Sequence, residues 1–177
     1  MMHAQPLPDA ATYSPEPDLE LTQRFRGAMR RLASGVGVVT TIHEARWFGM
    51  TATAITSLSM EPPSLVVSVN QNASIHAPLT KNGLFCVHLL RRDQVEIGRA
   101  FAALPSAERF TVGDWVLSDH GCPSLRCAQA VVHCRLGPIL PFGTHTLLVG
   151  EVIEAIIHDE VAPLLYVDGK FLVESEQ

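Results

Sequence analysis

Charge, aromatic rings and membrane-length apolar runs are all scarce in this chain. Of its 177 residues 18% are charged and 6% aromatic, against 47% apolar. No apolar run approaches the roughly 20 residues that a spanning helix needs. The opening MMHAQPLPDAATYSPEPD has neither the apolar centre of a secretory signal nor an Arg-rich amphipathic pattern, so a cytoplasmic location is expected by elimination. Basic residues are too few to attract a polyanion: the formal net charge is -5, the pI is near 5.9, and arginines cluster only in short pairs such as Arg30-Arg31 and Arg91-Arg92. A phosphate backbone would be repelled, which argues against nucleic acid as a partner. With so few charges on a chain of positive mean hydropathy, +0.18, part of the apolar surface is expected to be buried between two copies.

Several chemical signatures are missing as well. Cys86, Cys122, Cys127 and Cys134 form no CxxC pair, and without a secretory signal they are expected to be reduced, buried thiols. His120, Cys122, Cys127, His133 and Cys134 invite a zinc reading. Zinc ligands usually come in pairs two to four residues apart, however, and His133 and Cys134 as neighbours on a strand would point to opposite faces, so no metal is expected. The nearest approach to a dinucleotide fingerprint is Gly35-Val36-Gly37 in SGVGVVTT. It lacks the third glycine and runs into a strand where the fingerprint needs a helix. A P-loop, HExxH and a nucleophile elbow are absent too.

What is present divides into an arm and one domain, a size that suits a single core. Residues 1–17 carry Pro6, Pro8, Pro15 and Pro17 among small polar residues and are expected to form a loose arm, leaving 18–177 as the domain. Asp18 offers an N-cap, and Leu21, Phe25, Ala28, Met29 and Leu32 recur at spacings of three and four, which predicts a helix with one apolar stripe ending before Gly35. Beyond it, β-branched stretches between turn residues predict strands over 36–42, 47–54, 65–70, 84–90, 128–136, 146–157, 164–167 and 171–173. Two helical insertions are predicted, one from Ser74 to Asn82 closed by Gly83 and one over 93–102 with Val95, Ile97, Ala100 and Phe101 as its inner face. Asp168-Gly169 marks a tight hairpin. Many short strands with few helices indicate a mainly β barrel or sandwich with flanking helices.

The segment GMTATAITSLSMEPPSLVVSVNQNASIHAPLTKNGLFCVHLL, residues 49–90, closely resembles the signature region of the flavin reductase-like family, which includes the reductase component of 4-hydroxyphenylacetate 3-monooxygenase. Phe25-Arg26, Ala28-Met29, Gly35 to Thr40, Val69-Asn70, Ser74 to His76, Arg109-Phe110, Gly143 to His145 and Gly150-Glu151-Val152 follow in the family's order. The resemblance covers residues 21–173. It implies an FMN-binding split β-barrel homodimer with FMN or FAD near the subunit interface, reduced by NADH or NADPH and released to a flavin-dependent monooxygenase.

It also implies a site. His145 would position the nicotinamide, while Thr51, Ala52, Thr53, Ser57, Val69, Asn70, Ser74, His76 and Arg109 would hold the nucleotides. These residue types suit nucleotide binding, because small side chains let main chain approach the ring, hydroxyls donate without bulk, and Ser74 opening a helix would offer a hydroxyl and free N–H groups to a phosphate. Each has an ordinary alternative, since Thr and Ser on strands usually face water, Ser74 can be only an N-cap, and His145 can be only a loop residue. Thr144 stands where family members often carry Asp, which bears on the tautomer and pKa of His145. Three other readings stay open: a tightly held flavin relaying electrons to an acceptor such as a cobalt corrinoid, a flavin-binding module without turnover, and a flavin-free structural dimer.

Overall fold

Residues 37–41 and 85–88 are buried on both faces of their strands, whereas residues 65–70 alternate between buried and half-buried. A computed structural model of the chain describes residues 18–158 and 160–172, so the arm 1–17 and Val173 lie outside the described residues. In chain order the elements are α1 (Leu19–Met29), β1 (Ser34–Gly35), β2 (Gly37–His43), β3 (Arg46–Ala52), β4 (Ile55–Met60), β5 (Pro63–Asn70), α2 (His76–Asn82), β6 (Leu84–Leu89), α3 (Val95–Ala103), β7 (Trp115–Leu117), β8 (Pro123–Leu125), β9 (Ala130–Phe142), β10 (His145–Ile157), β11 (Leu165–Val167) and β12 (Lys170–Leu172). The mainly β expectation holds.

Seven strands form one antiparallel sheet in the order β3-β2-β6-β9-β10-β5-β4. Its edge strands β3 and β4 are consecutive in the chain, separated only by Thr53 and Ala54, and Ser68 N–H donates to the Ala54 carbonyl at 3.1 Å. The sheet therefore curls until its two edges meet at that dipeptide. Successive side chains point to opposite faces, so β2 and β6 send Val39, Phe85 and Val87 into a concave core with Val67, Val69, Leu148 and Leu79 of α2. Val38 and Cys86 enter a second, convex core beneath α3, with Ile97, Ala100, Phe101 and Leu125. Gly150 permits close strand contact, since a Cβ there would stand 2.5 Å from Phe85 Cζ.

The structure departs from the sequence-based expectations in several places. β4 was not expected; its solvent-facing Thr, Ser and Met give no burial alternation, and pairing to β5 alone makes it a strand. α1 begins as expected, with Leu21 N–H donating to Asp18 Oδ1 at 2.9 Å, and ends before Gly35 as expected but short of Leu32, at Met29; among the described residues none of it is buried. α2 begins at His76, two residues after Ser74, and its N-cap Ile75 has no side chain able to accept a hydrogen bond. Cys127 is exposed, whereas Cys86, Cys122 and Cys134 are buried as free thiols. Burial pushes the Cys122 thiol up to about 11 and Cys134 to about 12, which keeps both protonated and inert at neutral pH. The Asp168-Gly169 hairpin is as expected, both residues having positive φ, 50° and 78°.

Candidate flavin and nicotinamide site

The residues expected at the site fall into three groups. Thr51, Ala52 and Arg109 work inside the protein. Thr51 Oγ1 donates to the Gly98 carbonyl of α3 at 2.7 Å, so this hydroxyl proton is already committed within the protein. Ala52 is buried in the concave core. Arg109 Nε donates to the Leu104 carbonyl at 2.9 Å and Nη1 to the Gly49 carbonyl at 2.5 Å. A half-buried guanidinium spent on two backbone carbonyls is a brace; its desolvation lowers its pKa.

That brace explains the glycine opening the signature. A Cβ on Gly49 would stand 2.5 Å from Phe101 Cε1, so only glycine lets β3 lie against the aromatic cluster of Phe101, Phe110 and Trp115, whose ring centroids are 4.9 to 5.3 Å apart. Edge-to-face packing of this kind fixes ring positions tightly. Gly49, Thr51 and Arg109 together hold β3 so that the chain leaves it at Thr53 in one place.

The second group meets on the bare half of the convex face. Directly paired residues share a face, and Phe142, His145 and Asn70 form one such row across β9, β10 and β5. Leu140, Leu147 and Ser68 form the next row, with Ser68 beside Ala54 across the seam. Phe142, Leu140 and His145 are exposed, Ser68 and Asn70 half-buried, and Thr53 and Ala54 exposed. The strip is uncovered among the described residues. Among the described residues no hydrogen bond engages the Thr53 or Ala54 N–H, which leaves two backbone donors at the seam. A planar heteroaromatic ring with acceptor atoms along one edge fits such a place. Val69, one position off the row, turns its side chain into the concave core and can offer only main chain.

His145 opens β10 after the two-residue turn Gly143-Thr144, where Gly143 takes φ 55°. Its Nδ1 lies 2.9 Å from Thr144 Oγ1. A hydroxyl can donate to Nδ1, leaving the ring proton on the outward Nε2, or accept from it; a carboxylate there could only accept. Asn70 Oδ1 accepts from Asn72 N–H at 2.8 Å and shapes the turn before α2, and Gln71 N–H donates to the Thr144 carbonyl at 3.0 Å, tying that turn to the His145 hairpin. His76 Nε2 is 2.9 Å from Oγ1 of buried Thr146, which pins α2 to β10. Ser74, in the exposed turn between Asn70 and His76, has no partner for its hydroxyl among the described residues.

Ser57 stands apart. It pairs with Leu65 and lines a separate cavity of about 420 Å³ with Ile55, Val87, Val132 and Val152, on the opposite face from His145. The candidate zinc ligands do not assemble either. His133 and Cys134 point to opposite faces as expected, and Cys134 packs in the concave core. His133 lies 3.9 Å from Glu154, which His120 meets at 3.0 Å. Among the described residues no group of three or more such side chains is arranged to hold a metal ion.

Sequence reasoning missed Ala54, Ser68 and Phe142. The period-two rule could have found the last two, since Ser68 is two positions from Asn70, and Phe142 faces His145 across a two-residue turn.

Known proteins share this arrangement of chain. Residues 29–174 match the family described as flavin reductase like domain. The reductase component of an FADH(2)-dependent resorcinol hydroxylase from a Rhizobium species is 39% identical over 156 residues, covering 86% of this chain and 87% of its own. An FMN reductase (NADH) of Stutzerimonas stutzeri is 36% identical over 147 residues, covering 82% and 84% respectively. A solved NADH:FAD oxidoreductase of Streptomyces globisporus, in complex with NAD and FAD fragments, superposes with a TM-score of 0.82 at 30% identity, over 92% of this chain and 98% of that one. This chain belongs to the flavin reductase-like family.

Proposed function

We propose that this protein is an NAD(P)H:flavin oxidoreductase, a homodimeric split β-barrel that reduces FMN or FAD and supplies the product to a partner monooxygenase. The observation that carries the reading is the exposed strip from Thr53-Ala54 to Phe142, with two N–H donors unengaged among the described residues at one end and His145 at the other. The donors suit the acceptor edge of an isoalloxazine, and the unbranched approach of main chain lets the ring lie close. Ser68 and Asn70 line the middle, and Ser74 offers a hydroxyl for the flavin phosphate.

With both nucleotides bound, the chemistry supplied is hydride transfer from nicotinamide C4 to flavin N5. The protein's part is alignment. Phe142 and Leu147 would form an apolar floor beside the ring, and His145, in the same row as Phe142, would orient the nicotinamide carboxamide through Nε2. Holding two rings in contact converts a bimolecular encounter into an aligned one, which needs no proton-transferring side chain. The relative named as a reductase component of a hydroxylase favours a diffusing reduced flavin over a fixed relay to a cobalt corrinoid, a module without turnover or a flavin-free structural dimer.

The test is anaerobic mixing of the protein with FMN and NADH, followed at 450 nm. Bleaching is expected with the natural chain, and His145→Ala should lower kcat/KM for NADH by about tenfold, an alignment loss. No bleaching by the natural chain removes the proposal.

A further inference from the structure

The stretches 47–60, 64–80 and 136–150, which supply the strip, contain no Asp, Glu, Lys or Arg, in a chain of which 18% is charged. Burial accounts for their inward half. It does not account for the outward half, where Thr53, Asn72, Leu140, Phe142, Thr144 and Leu147 are all exposed and uncharged. We infer that Thr144 is a positioning residue: its hydroxyl donates to His145 Nδ1, so that the imidazole donates from Nε2 while neutral, and the nicotinamide end of the strip carries no ionised side chain that would retain the oxidised dinucleotide. The inference rests on the reductase reading and adds to it a residue that governs release of one product.

Thr144 is held in place from outside its own hairpin. Gln71 N–H donates to the Thr144 carbonyl at 3.0 Å, and Gln71 Nε2 donates to the His145 carbonyl at 3.3 Å, so both residues are tied at the main chain to the turn before α2. With the backbone fixed, Thr144 Oγ1 stands 2.9 Å from His145 Nδ1. A neutral imidazole carries one proton on its two nitrogens. For Nε2 to donate to a carboxamide oxygen from a neutral ring, Nδ1 has to accept, and a hydroxyl at position 144 supplies the proton where a carboxylate can only take one. A carboxylate there would draw the proton to Nδ1, and Nε2 could then donate only from a cationic ring.

The second half of the inference follows from the charge that the reaction creates. The hydride leaves nicotinamide C4 with both electrons of the C–H bond and goes to flavin N5. The donor ring, neutral before, is left with one positive charge, and the flavin gains one negative charge. A carboxylate beside the donor ring would attract it only after it has reacted, which strengthens product binding and leaves substrate binding as it was. A hydroxyl makes no such distinction.

The test compares the natural protein with Thr144→Asp and with the uncharged isostere Thr144→Asn, with thermal melting to confirm that both variants are folded. The readouts are the ratio of the inhibition constant of NAD+ to KM for NADH, measured with FMN as acceptor, and the state of the His145 ring nitrogens in a long-range proton–nitrogen correlation spectrum. The natural chain should show a neutral ring protonated on Nε2. Thr144→Asn, whose amide can also donate to Nδ1, should keep that pattern and a ratio close to the natural one. Thr144→Asp should move the proton to Nδ1 or add a second one, and should lower the ratio about threefold, the size of an exposed ion pair, with the difference disappearing at about 0.5 M salt. A proton on Nδ1 in the natural chain, or either readout the same for Thr144→Asp as for Thr144→Asn, overturns the inference. Absence of flavin reduction by the natural chain ends the reductase reading alone; the spectra, and NAD+ titrated by calorimetry into the same proteins, then still decide this one.

Discussion

His88 shows how one position of the convex core sets a response to acid. It is fully buried, its Nδ1–H donates to the Val38 carbonyl at 2.9 Å, its ring stands edge-on to Trp115 at 5.1 Å, and Nε2 has no partner. Burial lowers its pKa from 6.5 to about 4, and burial also lowers that of His133. Between those two values the unfolded chain holds a proton on His88 that the folded chain does not. Stability is therefore full above pH 6.5 and declines as pH falls through the window, by about 3 kcal/mol in total. His88→Asn keeps a donor for Val38 without a titrating ring, so urea unfolding between about pH 7 and pH 4 should give a flatter curve for the variant. Equal slopes for the two proteins would show that His88 is not held neutral. None of this is legible in FCVHLL alone, where His88 reads only as a polar residue on a strand. The same limit applies to Thr51 and Arg109: their residue types suit nucleotide contacts, and only the position of α3 and of the Leu104 and Gly49 carbonyls reveals that both are braces.

Elements with strong alternation were legible, and elements defined by their neighbours were not. The valine-rich strands β2, β5 and β6 lie within a few residues of their expected bounds, because burial on both faces of β2 and β6 and on the inner face of β5 selects β-branched residues. β4 and the N-terminal limit of α2 depend on pairing and on turn geometry, which composition does not display. The β2–β3 hairpin illustrates the cost of an unusual turn. Glu44 and Ala45 both take positive φ, 50° and 58°, as its two-residue loop requires, yet neither is glycine. Side chains in that region carry a steric penalty that glycine avoids. Ala45→Gly should therefore stabilise the protein by about 1 kcal/mol, net of the entropy glycine adds to the unfolded chain. A thermal midpoint that rises by a few degrees checks this, and a fall would mean that the hairpin is not held in the geometry described.

At the scale of the whole molecule, several large apolar side chains stand bare among the described residues. Leu21 and Phe25 of α1 are each 63% exposed and Met60 of β4 is 74% exposed. α1 has eleven residues, none of them buried among the described residues, although helices shorter than about 12 residues are marginal without tertiary cover. In the homodimer proposed above, a second copy would cover this stripe to an extent set by protein concentration. Thr53 and Ala54, at the seam end of the strip proposed for the flavin, line one cavity with Arg26, Met29 and Arg30 at the end of α1, so pairing through α1 would also cover that end of the proposed site. Leu21→Glu/Phe25→Glu places charge on the stripe while leaving the Asp18 cap and the cavity arginines in place. Sedimentation should find the natural chain at twice its 19.3 kDa mass and the variant at the mass of one chain, with loss of flavin reduction accompanying the dissociation. A natural chain that sediments as a monomer at micromolar concentration would show that the stripe is not a seam between copies, and full reductase activity in a monomeric variant would show that one subunit completes the site.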